Sequence, residues 1–189
     1  AGRRPIATHM DAAARMVDLE LLQRQGDWGL FHEMGHSHQH PDWTFEGTGE
    51  VTVNLFTMYV LETVCGLDQL ADSGRMPRRR AMATLRAYQQ RGANFEEWKS
   101  DPFLALTMYA QILDAFGWEA YRRVFAHYRA LCPRERPRTD EDKRDQWLIR
   151  LSRTVGYNLG PFFEAWGIPV RTAAVEAISD LPIWMPADE

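Results

Sequence analysis

The stretch GDWGLFHEMGHSHQHPDWTFEGTGEVTVNLFTMYV, residues 26–60, decides how this chain is interpreted, because it contains the motif H-E-x-x-H. Residues four apart lie on one face of a helix, so His32 and His36 can present two imidazoles to one metal ion. Glu33 can then reach a water molecule on that metal. Glu50 would complete the two-histidine, one-glutamate set of a catalytic zinc site, which leaves one coordination position open for water and substrate.

The surroundings of the motif favour a metal site over a chance match. Asp27 is a suitable N-cap for a helix that begins with the next residue. Apolar residues surround the motif within this helix: Trp28, Leu30, Phe31 and Met34. We therefore expect a mostly buried helix, in which two histidines and a glutamate without a metal would be costly. The alternative is a pair of core histidines that are satisfied by ordinary hydrogen bonds.

A second helix is expected from about Thr48 to Cys65, with Glu50 in its first turn facing the motif helix. Asn54 follows one turn later on the same face. It either orients Glu50 or a ligand histidine, or is an ordinary polar residue satisfied between two helices. Glycine inside a helix costs about 1 kcal/mol relative to alanine. Gly35 is either tolerated without a role or marks close approach of another backbone or of substrate near the metal, and we favour close packing.

Composition suits a single domain over residues 1–189, with 45% hydrophobic and 12% aromatic residues to form a core. The net charge of −4 argues against a nucleic-acid partner. No run of 18 apolar residues occurs, which predicts no membrane span, and the first fifteen residues lack the apolar segment of a signal peptide. Cys65 and Cys132 can pair or stay free, and free, buried thiols are expected.

The sequence predicts a mainly α fold, because no segment shows convincing strand alternation. The predicted helices are 11–25, 28–39, 48–65, 78–91, 102–116, 118–131, 140–155, 161–166 and 171–178. The β-branched triplet Val51-Thr52-Val53 lies inside the long Glu50 segment, whose length of about 18 residues favours a helix. Peptidases that bind a peptide along a sheet edge need such an edge, and none is evident in these residues.

The motif region resembles the enhancin-like, mucin-degrading zinc metallopeptidases, which are gluzincins. The resemblance rests on residues 26–36, Gln39, Trp43 and 49–55, and more loosely on 116–118 and 160–167. It spans most of the chain, from about Pro5 to Trp184. That family carries H-E-x-x-H, a spacer of variable length and a glutamate ligand. Here residues 37–49 form the spacer between His36 and Glu50.

This resemblance implies that His32, His36 and Glu50 bind Zn²⁺ and that Glu33 is the catalytic base. It implies that the chain is the helical lobe of a gluzincin catalytic domain, whose sheet-bearing N-terminal part lies upstream of Ala1. It also implies a zinc-dependent endopeptidase that acts on glycoproteins, especially O-glycosylated or mucin-like ones. Such a substrate would place the enzyme outside the cytoplasm, secreted or at the cell surface.

Several residues have an open role. Tyr157 and His127 are candidates for stabilising the oxyanion of the reaction, although both residue types more often pack or cap. Trp43 either contacts substrate sugars or belongs to the core. His38 and His40 are expected to be exposed helix-end residues rather than extra ligands. The alternative function is a non-catalytic, helical module that retains the zinc site and binds a glycoprotein or another partner; the intact Glu33 favours the enzyme.

Overall fold

The computed structural model describes residues 13–187 and confirms the mainly α prediction. The helices are α1 (Ala13–Met16), α2 (Leu19–Gln25), α3 (Trp28–His36), α4 (Gly49–Thr63), α5 (Arg78–Gln90), α6 (Phe95–Ser100), α7 (Pro102–Arg129), α8 (Asp140–Val155), α9 (Gly160–Ala165) and α10 (Thr172–Glu176). Within the described range, extended pairing is limited to a parallel bridge between Asn158 and Ile183. No helix between residues 13 and 187 has both the length and the apolar character needed to cross a membrane.

Several helix ends form at the residues that the sequence predicts. The Asp27 carboxylate accepts a hydrogen bond from the Leu30 N–H at 3.0 Å, and Asp101 caps the first turn of α7 in the same way. Gly117 has φ 68° and ψ 177°, so it divides α7 into the two predicted segments. Gly156 ends α8 in the left-handed conformation, with φ 79° and ψ 19°.

The structure also corrects two predicted segments and adds one helix. The helix predicted over 11–25 is interrupted, because the Asp18 carboxylate accepts from the Leu21 N–H and starts α2 as a new helix; residues 11 and 12 lie outside the described range. Helix α3 ends at His36 rather than at residue 39, because the next N–H groups bond to carbonyls three residues back. Helix α6 was not predicted and is capped by the Asn94 side chain.

Helix α7 lies at the centre of the core and packs against α4, α5, α6 and α8. Trp43, from the loop between α3 and α4, inserts its ring against Phe125 and Tyr128 of α7 at centroid distances of 4.8 and 5.7 Å. Its side chain is 1% exposed. Of the two roles that the sequence allows for Trp43, the structure therefore supports a place in the core. The indole has no exposed face for a contact with substrate sugars. Its burial fixes the loop that joins the two helices of the motif region.

Helices α3 and α4 approach closely at Gly35, as the sequence predicts. A Cβ atom at this position would lie 2.8 Å from Val53 Cγ2 and 2.9 Å from the Val53 carbonyl oxygen. The carbonyl belongs to the backbone of α4, so it cannot move aside without moving the helix. Because glycine has no side chain, the two helices that carry the predicted ligands can approach each other this closely.

We expect Gly35→Ala to destabilise the protein by about 1–3 kcal/mol, the usual cost of overpacking. Gly29→Ala is the matched control on the same helix, because its Cβ would meet only Asp27 Oδ1, at 3.5 Å. There the higher helix propensity of alanine should leave stability unchanged or raised by up to about 1 kcal/mol. Urea denaturation compares the two variants. Equal stability of both would contradict the close-packing explanation.

The two cysteines are free thiols, as expected, but neither is fully buried. Partial burial raises the pKa of the Cys65 thiol above its ordinary value, because the thiolate loses solvation. Cys65 lies just beyond the end of α4, and Cys132 lies beyond the end of α7.

Candidate metal centre

The structure brings His32, His36 and Glu50 together at the contact between α3 and α4. The two imidazoles lie one turn apart on α3, with ring centroids 4.8 Å apart and planes at 90°. Glu50, in the first turn of α4, places its Oε2 atom 3.0 Å from His32 Nε2 and 3.9 Å from His36 Nε2. One possible ligand atom from each residue lies within 4.8 Å of the other two.

These separations fit a single zinc ion. Zinc binds histidine nitrogen and carboxylate oxygen at about 2.0–2.2 Å, so neighbouring ligand atoms on a tetrahedral ion stand about 3.4 Å apart. The two histidine–carboxylate distances, 3.0 and 3.9 Å, bracket this value. The donor set of two nitrogens and one oxygen is also the set found in catalytic zinc sites with an open position.

The hydrogen bond of Asn54 holds His32 in the tautomer that a metal requires. The Asn54 Nδ2 group donates to the Glu50 carbonyl oxygen at 2.6 Å, and because a carbonyl can only accept, this bond fixes the orientation of the amide. Asn54 Oδ1 therefore faces His32 Nδ1 at 2.8 Å and must accept its hydrogen. When the ring is neutral, its lone pair then lies on Nε2, on the side of Glu50, where a metal ligand needs it.

His36 has a similar partner that was not predicted as a site residue. Its Nδ1 atom lies 2.8 Å from Gln39 Oε1. The sequence singles out Gln39 only as one of the residues on which the resemblance to the enhancin-like family rests. Its distance of three residues from His36 is a usable signal, because side chains at that spacing meet on a helix or in the turn that follows it.

Glu33 lies on α3 beside the cluster and faces solvent. At about 100° of rotation per residue, its side chain projects beyond His36 on the side away from Gly35, which packs on α4. Among residues 13–187, no side chain forms a hydrogen bond or ion pair with its carboxylate. The carboxylate is therefore free to meet a water molecule or a substrate group at the open side of the cluster.

The cluster is more open than the sequence predicts. The side chains of His32 and His36 are 19% and 17% exposed, and that of Glu50 is 58% exposed. Helix α3 is therefore half-buried, and the expectation of a mostly buried helix holds only for its inner face.

Within residues 13–187, the two candidates for oxyanion stabilisation do not contact the cluster. Tyr157 follows the end of α8 and packs against Phe116 at a centroid distance of 5.8 Å, with 39% of the residue exposed. His127 is exposed in the last turn of α7. Among the contacts of residues 13–187, none joins either side chain to the three ligand candidates. Their catalytic role stays a prediction without geometric support in this chain.

The two remaining histidines of the motif region lie outside the cluster. The His38 ring packs against Phe56 at 5.9 Å, and the His40 ring packs against Trp43 at 5.3 Å. His40 Nδ1 also accepts a hydrogen bond from the Asp42 N–H at 3.2 Å. Within the described part of the chain, the grouping of possible ligands contains neither histidine. Both residues lie in the loop after α3 rather than at a helix end, with His38 exposed and His40 half-buried.

The helical arrangement is that of solved metallopeptidases. It resembles the IMPa metallopeptidase from Pseudomonas aeruginosa, with a TM-score of 0.60 and 20% identity over 84% of this chain and 23% of that one. The same protein has also been solved in complex with an O-glycopeptide. A functionally unknown conserved protein from Bacillus anthracis is more similar, with a TM-score of 0.75 and 32% identity over 89% of this chain and 33% of that chain.

The chain belongs to the peptidase M60, enhancin and enhancin-like family, whose sequence pattern matches residues 1–167. This confirms the resemblance that the motif region indicates. Among curated proteins, the TRPM8 channel-associated factor homolog of Xenopus laevis is 34% identical over 181 residues. The match covers 95% of this chain but only 20% of that protein, so the chain spans a fifth of the relative's length.

Proposed function

We propose that this chain forms the metal- and base-bearing part of a zinc endopeptidase that hydrolyses peptide bonds in O-glycosylated proteins. The convergence of His32, His36 and Glu50 at zinc-ligand separations carries the proposal. The hydrogen bond between His32 Nδ1 and Asn54 Oδ1 supports it, because histidine ligands of metals commonly donate their other ring N–H to such a partner. Residues 1–189 would then form one portion of the catalytic domain.

The proposed chemistry divides between the metal and Glu33. Zinc held by His32, His36 and Glu50 would lower the pKa of a water molecule and polarise the scissile carbonyl group. The Glu33 carboxylate accepts a proton from the attacking water as the new carbon–oxygen bond forms. It then delivers that proton to the amine nitrogen as the carbon–nitrogen bond breaks. The free, exposed position of Glu33 beside the cluster suits both transfers.

The substrate class is the finer part of the proposal. Membership of the enhancin-like family supports a glycoprotein substrate, and a structural neighbour has been solved with an O-glycopeptide bound. An enzyme with such substrates would act outside the cytoplasm, as a secreted or cell-surface protein.

A second candidate function is a binding module without catalytic activity. The observation that favours it is the name of the curated relatives, which are TRPM8 channel-associated factors. By analogy, this chain would be a helical module that retains zinc and binds a partner protein. The complete set of ligands together with an unpaired Glu33 favours the enzyme, because a binding module has no use for a base at that position.

Cleavage of a mucin-type protein tests the proposal. The zinc-loaded full-length protein that contains this chain should cleave an O-glycosylated substrate and leave an enzymatically deglycosylated sample of the same substrate intact. A chelator should abolish cleavage, and added zinc should restore it. Fragments are measured by mass spectrometry, which also identifies the scissile bond. Equal cleavage of both samples would contradict the substrate class, and no cleavage of either would favour the binding module.

A further inference from the structure

We propose that Gln39 is a positioning residue that fixes His36 as an Nε2 ligand and ties it to the backbone beside Glu50. This inference rests on the proposed function and deepens it, because it says how the second histidine is held for the metal. Gln39 lies in the loop that joins α3 to α4 and is half-buried between them.

The bonds of the Gln39 amide group leave only one orientation for it. Its Nε2 group donates to the Gly49 carbonyl oxygen at 2.6 Å and to Thr52 Oγ1 at 2.7 Å. A carbonyl oxygen can only accept, so the amide nitrogen must lie on this side. The Thr52 hydroxyl donates its own hydrogen to the Thr48 carbonyl at 3.2 Å, which leaves its oxygen free to accept from Gln39.

This orientation determines the tautomer of His36. Gln39 Oε1 faces His36 Nδ1 at 2.8 Å and has no hydrogen to give, so Nδ1 must donate. The lone pair of the neutral ring then lies on Nε2, the atom that points toward Glu50 Oε2 at 3.9 Å. Partners of this kind hold ligand histidines in one tautomer and one ring orientation.

The same amide also links the two helices of the cluster. The Gly49 carbonyl immediately precedes Glu50, so Gln39 connects the ring of one ligand to the backbone that carries another. Asn54 makes the equivalent link for His32, through the Glu50 carbonyl itself. Each histidine is therefore tied by a neutral amide to the first turn of α4. A shift of α4 along α3 would break both links at once.

Both partners are amides rather than carboxylates, so they add no charge to the cluster. Neither Gln39 nor Asn54 adds a negative charge, so Glu50 is the one anionic group among the ligands and their described partners. A divalent cation at this position keeps a net positive charge. That charge is what the proposed reaction uses to polarise a carbonyl group.

Gln39→Met tests the inference, because methionine keeps the length of the side chain and removes both the acceptor and the donors. Zinc affinity, measured by competition with a chromophoric chelator, should fall about 10- to 100-fold, as is usual when the partner of a ligand histidine is removed. In ¹⁵N NMR spectra of the metal-free protein, His36 should lose its single Nδ1–H tautomer, whereas His32 should keep its own. A purely structural role for Gln39 would not change one tautomer alone.

Gln146→Met is the matched control. Gln146 on α8 also uses both ends of its amide, donating to the Glu135 carbonyl and accepting from Arg150, and the variant should leave zinc affinity and both tautomers unchanged. If Gln39→Met fails to fold, Thr52→Val removes one acceptor of the Gln39 amide and should give a smaller loss in zinc affinity. His36 should keep its Nδ1–H tautomer in that variant, because the Gly49 carbonyl still fixes the orientation of the amide.

Wild-type zinc affinity and a retained His36 Nδ1–H in Gln39→Met would overturn the inference while leaving the proposed function intact. If the parent protein binds no zinc, the proposed function fails instead. The tautomer measurement on metal-free protein would still decide the role of Gln39.

Discussion

Glu33→Gln is expected to lower the rate of peptide-bond hydrolysis by about 10²- to 10⁴-fold, the usual contribution of a general acid–base residue. Glutamine has nearly the same shape as glutamate but cannot accept the proton of the attacking water. Because Glu33 is not among the metal-ligand candidates, the variant should bind zinc as tightly as the parent. Steady-state cleavage of an O-glycosylated protein and the zinc content of the purified variant measure the two effects separately.

Glu164→Gln provides the control for this substitution. Glu164 is an exposed glutamate on α9, far along the chain from the motif, and its replacement should change neither cleavage nor zinc content. If Glu33→Gln cleaves as well as the parent, the proton-transfer role is wrong. If the variant loses zinc, the loss of activity does not report on proton transfer, and Glu33 must be assigned to the metal site instead.

His36→Ala is expected to abolish the stabilisation that zinc gives to the folded protein. A ligand that binds only the folded state stabilises it by about 4 kcal/mol when present at 1,000 times its dissociation constant. With His36 removed, the cluster keeps one imidazole and one carboxylate, which is too few for a tight zinc site. Thermal denaturation with and without zinc should therefore show a clear rise in Tm for the parent and none for the variant.

His38→Ala is the matched control, because His38 is two residues away and packs on Phe56 outside the cluster. Its zinc-dependent rise in Tm should equal that of the parent. The same loss in both variants would show that zinc stabilises the protein through a different or less defined set of histidines. Equal stabilisation of His36→Ala and the parent would remove His36 from the ligand set.

Much of the metal centre follows from local sequence rules. The four-residue spacing puts His32 and His36 on one face of α3, and helix-forming sequence after residue 48 puts Glu50 in a first turn. Gly35 indicates a close helix contact, and the structure confirms that contact at Val53. These features depend on helix periodicity and on the cost of glycine, which are properties of short segments.

Other features depend on contacts between distant segments, which the sequence does not reveal. The role of Gln39 depends on which end of its amide faces the Gly49 carbonyl, and that is settled only when the loop folds onto α4. The burial of Trp43 depends on a space beside Phe125 of α7, more than 80 residues later in the chain. The openness of the cluster likewise depends on which elements cover α3.

The position of zinc in crystals of the protein, located by anomalous diffraction at the zinc edge, tests the proposed site most directly. The structure predicts one ion per chain, about 2.0–2.2 Å from His32 Nε2, His36 Nε2 and a carboxylate oxygen of Glu50. An ion bound through a histidine Nδ1 atom, an ion at another site, or no ion after growth in excess zinc would contradict it.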